Sequence, residues 1–175
     1  TSSKVCAVAL MEDDKLINEK ILEDENTHSV KLMPLVDELL KKSNITLNEI
    51  DLFACDKGPG SFTGIRIGIA TVKAFADATN KKTIGISSLE ALAYNVEENG
   101  IICAVIDAKN ENVYSGFFEK SNGIIKQLKA PEFNTIKNII EQANNIKENI
   151  IFVGDAVQKY KDSILEVLNK KAVII

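Results

Sequence analysis

This chain has no tryptophan, one histidine, three prolines and three cysteines among 175 residues. With His28 as the single histidine, a histidine-rich metal site is excluded and a Ser-His-Asp triad has one possible base. Cys6, Cys55 and Cys103 are odd in number, far apart and set within apolar runs, so they read as small buried hydrophobes of a reducing compartment. No uncharged apolar run approaches the ~18 residues of a membrane span. The first residues also lack the basic-then-apolar profile of a secretory signal, so a cytoplasmic protein with no membrane partner is expected. A net charge of −4 and a pI near 5.2 argue against a general nucleic-acid binder, whose phosphate affinity comes from clustered Lys and Arg.

What is present is ordinary globular material. The hydrophobic fraction is 45%, the charged fraction 26%, and the nine glycines are near average usage, which excludes disordered and collagenous classes. A chain of this length buries roughly 70% of its unfolded surface and holds a core without staples.

Apolar and polar residues from Lys4 to Met11 and from Lys15 to Leu22 predict a β-hairpin with Glu12-Asp13-Asp14 at its tip. Leu32, Leu35, Val36, Leu39 and Leu40 form one helical stripe within residues 29–42, with Met33 off it. Strands are expected at 50–55 and 83–86, with helices at 61–79 and 88–97. Strands at 101–106, 112–118 and 123–128 follow, then helix 135–145, strand 150–153, helix 157–168 and strand 172–175. The alternation predicts two α/β halves, each a mixed sheet covered by helices, spanning 1–99 and 100–175 with a boundary near Asn99 and Gly100.

The most informative segment is Gly58-Pro59-Gly60-Ser61-Phe62-Thr63-Gly64-Ile65-Arg66-Ile67-Gly68. A strand feeding a glycine turn into a helix N-terminus is a common phosphate-binding geometry, because free amides and the helix dipole favour an anion. Yet it matches neither the Walker A nor the Rossmann fingerprint, and no lysine follows its last glycine. The spacing admits a second reading. Gly60, Gly64 and Gly68 recur every four residues and leave a groove without side chains on one helix face, where another backbone, internal or from a partner, can pack closely.

The run GPGSFTGIRIGIATVKAFA at 58–76, with HSVKLMPLVDELL at 28–40, GISSLEALA at 85–93, DAKNENVY at 107–114 and VGDAV at 153–157, closely resembles the bacterial TsaB (YeaZ) family. The resemblance implies an actin-like, Hsp70-like (ASKHA) fold of two subdomains. It also implies a place in the synthesis of N6-threonylcarbamoyladenosine on tRNAs that read ANN codons. Members of that family are not the catalysts; they dimerise with the catalytic paralogue TsaD, the ATPase TsaE joins them, and tRNA is met through the complex. Members usually begin with a strand ending in Asp-Thr-Ser, of which Thr1 and Ser2 match the last two residues, and continue past the last strand seen here. The chain is therefore expected to lack the family's first strand and C-terminal tail.

TsaD proteins carry a segment similar to G-V-N-H-L-E-G-H whose two histidines bind the catalytic metal. The matching segment here, Gly85 to Leu92, has Ser88 and Leu92 at those positions, so the resemblance implies no metal and no cofactor in this chain, with ATP and metal in the TsaD partner. Glu90 alone is a poor metal site. His28 is expected to organise the start of its helix, and Asp56, Asp107 and Asp155 stand at strand ends, where carboxylates act in some α/β folds and cap turns in others. In the family the dimer is built from the first two long helices, which carries over to 29–42 and 61–79. Met33, Gly60, Gly64, Ile65, Gly68 and Ile69 are the expected partner-interface residues, and when TsaD is absent a homodimer through the same helices and a monomer are both open. The rival readings are a stand-alone actin-like ATPase or phosphotransferase, with the glycine loop as its phosphate cradle, and a peptidase, which lacks the parts. If the glycines serve a partner, Gly64→Arg or Gly68→Arg abolishes heterodimerisation and leaves the monomer folded; if they serve core packing, the fold is lost.

Overall fold

The computed structural model describes residues 1–23 and 28–175, the side chain of His28 excepted. Two compact units divide the chain, Thr1–Ile86 and Ser87–Ile175.

In the first unit, β1 (Val5–Glu12) and β2 (Lys15–Glu23) pair as the expected antiparallel hairpin. The turn is tighter than expected: Glu12 already pairs with Lys15, and Asp13 takes a left-handed conformation at φ 51°, which Asp tolerates better than most residues. Helix α1 (His28–Ser43) packs on the hairpin, and Leu32 and Leu39 of its stripe are buried, as are Cys6 and Leu10 of β1. Strand β3 (Leu52–Asp56), helix α2 (Phe62–Thr79) and strand β4 (Lys82–Ile86) form a β-α-β unit in which β3 and β4 run parallel. Helix α2 is seated on β3 by the Phe53 and Phe75 rings, 5.7 Å apart, and it ends at Asn80 in the left-handed cap geometry.

The second unit opens with α3 (Ser88–Tyr94) and continues through β5 (Gly100–Asp107), β6 (Asn112–Ser121), β7 (Ile124–Thr135), α4 (Ile136–Asn145), β8 (Ile150–Val153), α5 (Ala156–Leu168) and β9 (Ala172–Ile174). The sheet order is β7-β6-β5-β8-β9, with β5, β8 and β9 parallel and β6 and β7 antiparallel. Strand β5 is the buried centre, and its unbroken apolar run follows from being covered on both faces. Cys103 and Val105 point into a core with α4 and α5, where Phe152, Ile139 and Ile164 are fully buried. Ile102 and Ala104 point the opposite way, to Leu89, Ala93 and Val96.

That second core moves the expected boundary. Residues 88–97 were expected to close the first half, but Leu89, Ala93 and Val96 bury against β5 and Phe118, so the division falls at Ile86/Ser87 instead of Asn99/Gly100. Strand β7 also runs past the expected end at Leu128 through Pro131. It is the edge of its sheet, where a missing N–H breaks no ladder bond. Among the described residues no helix is long and apolar enough to cross a membrane.

An ion-pair network ties α1 to the hairpin. Lys20 of β2 and Lys42 of α1 each place Nζ 2.8 Å from Glu38 Oε1. The hydrogen bond from Lys20, then that from Lys42, lowers the Glu38 carboxyl to about 2. A depressed folded-state pKa means that the stabilisation is fully present above the ordinary carboxylate range and is lost as pH falls through the folded value. Melting temperature measured against pH is therefore expected to fall more steeply for the native chain than for Glu38→Gln between about pH 4.3 and about pH 2, with a constant difference above that window.

Candidate functional site

The glycine loop leaves β3 at Asp56 and enters α2 at Ser61, whose hydroxyl accepts from the Gly64 amide at 3.3 Å as an N-cap. Two further loop amides are also used. Gly58 N–H donates to Asp56 Oδ1 at 2.7 Å, and Ser61 N–H donates to the Ser2 carbonyl at 2.7 Å. Ser2 Oγ donates to Asp56 Oδ2, and Thr1 Oγ1 donates to the Gly64 carbonyl at 2.8 Å. A phosphate seeking the Gly58 and Ser61 amides would have to displace a carboxylate and a carbonyl that already hold them.

The glycine stripe is filled from the same direction. A Cβ on Gly64 would lie 1.7 Å from the Thr1 carbonyl oxygen, and one on Gly60 would lie 2.4 Å from that of Ser2. At Gly68 the nearest atom is the Thr1 hydroxyl, at 2.8 Å. The close approach that the four-residue spacing announces is thus met within the unit by the backbone of Thr1 and Ser2. Gly64 is buried; Gly60, Gly68, Ile65 and Ile69 are half-buried.

Met33, in contrast, is 50% exposed on α1. Val30 on the same helix and Phe62 at the start of α2 are exposed to 68% and 73%. Arg66, the chain's single arginine, lies 4.9 Å over the Phe62 ring, an i,i+4 cation–π pair on the solvent side of α2. The two helices touch. Val30 and Phe62 escaped sequence reasoning. A signal was available: both lie off the buried stripes of their helices and are large apolar residues with nothing internal to cover them.

In the second unit Asp107 and Asp155 come together at the ends of β5 and β8. Asp155 Oδ1 accepts from the Asp107 amide at 2.8 Å, and Lys159 of α5 donates to both Asp107 oxygens at 2.9 and 3.0 Å. That contact raises the Lys159 ammonium above its ordinary value. Gly154, at φ 124°, would carry a Cβ 2.0 Å from the Val105 carbonyl oxygen, so only glycine lets this turn pass so close to β5. The carboxylates are engaged in holding a turn and a helix.

Ser88 is buried, Leu92 is half-buried and packs against the α3 core, and Glu90 is exposed. Among the described residues no three His, Cys, Asp or Glu side chains gather as metal ligands. His28 begins α1, and its side chain lies outside the described residues. Cys6 and Cys103 are buried and Cys55 is half-buried; burial pushes all three thiols up from their ordinary values.

Comparison with known proteins points one way. The family model for TsaD, tRNA N6-adenosine threonylcarbamoyltransferase, matches residues 16–174. The tRNA threonylcarbamoyladenosine biosynthesis protein TsaB of Bacillus subtilis is 31% identical over 175 residues, covering 99% of this chain and 76% of that protein. TsaB of Escherichia coli is 34% identical over 166 residues, covering 93% and 71%. Among solved structures, YeaZ from Pseudomonas aeruginosa superposes with a TM-score of 0.77 at 25% identity, covering 93% of this chain and 76% of that one. With the α/β alternation and the mixed sheet of the second unit, these likenesses assign the actin-like ASKHA fold class, although the first unit holds two separate two-stranded sheets where one mixed sheet is expected.

The two glycines separate the alternatives for the stripe. In a free helix Gly→Ala stabilises by roughly 0.5–1 kcal/mol. Gly64→Ala is expected to do the reverse, lowering stability by about 1–3 kcal/mol through its clash with backbone. Gly68→Ala, which meets only the Thr1 hydroxyl, is expected to cost less, because a side-chain hydrogen bond gives way there instead of backbone. Urea unfolding of the two variants measures the difference, and equal effects would exclude the Thr1–Ser2 packing as the cause.

Proposed function

The chain belongs to the TsaB (YeaZ) family, and from that premise we propose that it serves tRNA threonylcarbamoyladenosine synthesis as the non-catalytic partner of TsaD. The observation that carries the non-catalytic part is the glycine loop, whose Gly58, Ser61 and Gly64 amides are held by Asp56, the Ser2 carbonyl and the Ser61 hydroxyl. Substitution at the two positions that the resemblance matches to metal-binding histidines supports it further. Ser88 offers a weak ligand and Leu92 none. The chain then needs no cofactor of its own, and ATP and metal belong to TsaD.

The α1–α2 face is the surface proposed for TsaD. Val30, Met33 and Phe62 are large apolar side chains left in solvent on two touching helices, and burying them is a favourable term for association. Of the expected interface residues, Met33 is best placed, Ile65 and Ile69 lie half-buried on the flank of α2, and Gly60, Gly64 and Gly68 support the helix from behind. TsaE completing a ternary complex, tRNA reached through that complex, a homodimer through the same face when TsaD is absent, and a cytoplasmic location all belong to this reading.

Calorimetric titration of the full-length protein with TsaD, after a control with Mg-ATP, tests it. One-to-one binding to TsaD with no heat from Mg-ATP is expected, and Met33→Asp is expected to weaken TsaD binding about tenfold or more. Binding of Mg-ATP without association to TsaD would overturn the reading and favour a stand-alone ATPase or phosphotransferase.

A further inference from the structure

We propose that Asp56 is a positioning residue that fixes the first turn of α2, and with it the face offered to the partner; this rests on the α1–α2 reading above. Asp56 stands on firm ground. It pairs with Ile86 across the parallel β3–β4 ladder, and the Lys57 amide donates to the Ile86 carbonyl at 2.9 Å. From there its two oxygens divide the work. Oδ1 takes the Gly58 amide at 2.7 Å and so bends the chain into the loop. Oδ2 takes the Ser2 hydroxyl.

Ser2 passes the constraint on. Its carbonyl accepts from Ser61 N–H at 2.7 Å, and Ser61 is the N-cap of α2. The next residue is Phe62, 73% exposed, with Arg66 stacked over it one turn later. A carboxylate at the end of a strand thus reaches the exposed aromatic of α2 through two hydrogen bonds and one residue. Removing it frees the Gly58 amide and the Ser2 hydroxyl together, and the helix start loses its link to β3. Asparagine preserves the geometry, because its carbonyl oxygen accepts from Gly58 while its amide donates to Ser2 Oγ.

The test uses the full-length protein with Asp56→Ala, Asp56→Asn, Ser2→Ala and the Asp56→Ala/Ser2→Ala double variant, and Met33→Asp as the face control. Affinity for TsaD is read by calorimetry, and amide exchange at Gly58 and Ser61 is read by NMR. Asp56→Ala is expected to weaken TsaD binding about tenfold and to speed exchange at both amides, with Asp56→Asn close to native in both and the double variant no weaker than the single. Faster exchange in Asp56→Ala with native affinity would overturn the positioning role, as would equal losses in the Ala and Asn variants. Native affinity in Met33→Asp as well as in every Asp56 and Ser2 variant would mean that the α1–α2 reading itself had failed. Should Asp56→Ala not fold, Ser2→Ala breaks the same link and carries the same expectations.

Discussion

A carbonyl oxygen occupies the place where α2 would otherwise carry a side chain. With the Thr1 oxygen 1.7 Å from a hypothetical Gly64 Cβ, the backbone leading into β1 lies directly on the helix axis side of α2, and no residue but glycine permits it. The other features of the loop follow from this approach. The amides of Gly58 and Ser61 find partners because Ser2 is there to supply or share them. Two of the loop's donors are withdrawn from any anion for the same reason, and α2 turns its Phe62–Arg66 side to solvent because its other side is taken. A segment built like a phosphate cradle is therefore used as a backbone-to-backbone joint.

The second unit treats its strand-end carboxylates in a comparable way. In an open α/β sheet the ends of the strands are where ligands commonly sit. Here Lys159 neutralises Asp107, and Asp155 is spent on the amide of Asp107 itself. The charge at that strand end is balanced by the chain's own helix. The two units thus reach the same result by related chemistry, carbonyl and carboxylate on amides in one and a carboxylate on an amide with an ion pair in the other.

How far this was legible in the sequence depended on the range of the interaction. Helix α2 was clear because the glycine turn before Ser61 and the helical spacing through Thr79 are both local signals. Strand β5 was clear because Ile101 to Ile106 is an unbroken apolar run. The boundary was misplaced because the apolar face of α3 does not announce which sheet it will cover; only the packing of Leu89 and Ala93 on Ile102 and Phe118 decides it. Strand β7 runs on past Leu128 through Pro131 because it is an edge, which no local pattern announces. The glycine spacing announced a close neighbour but not its identity, since Thr1 and Gly64 are 63 positions apart. The clasp at Asp56 was illegible for the same reason: its partner Ser2 is 54 positions away.

The cysteines give each unit its own internal clock. Cys6 lies wholly buried in the first unit and Cys103 wholly buried at the centre of the second, and burial holds both as unreactive thiols. A thiol reagent can reach them only when the surrounding core opens. The rate at which each is modified therefore reports the opening of its unit separately, while half-buried Cys55 marks the β3 end beside the glycine loop. A single unmodified chain thus carries three natural timers, one for each core and one for the joint between strand and helix.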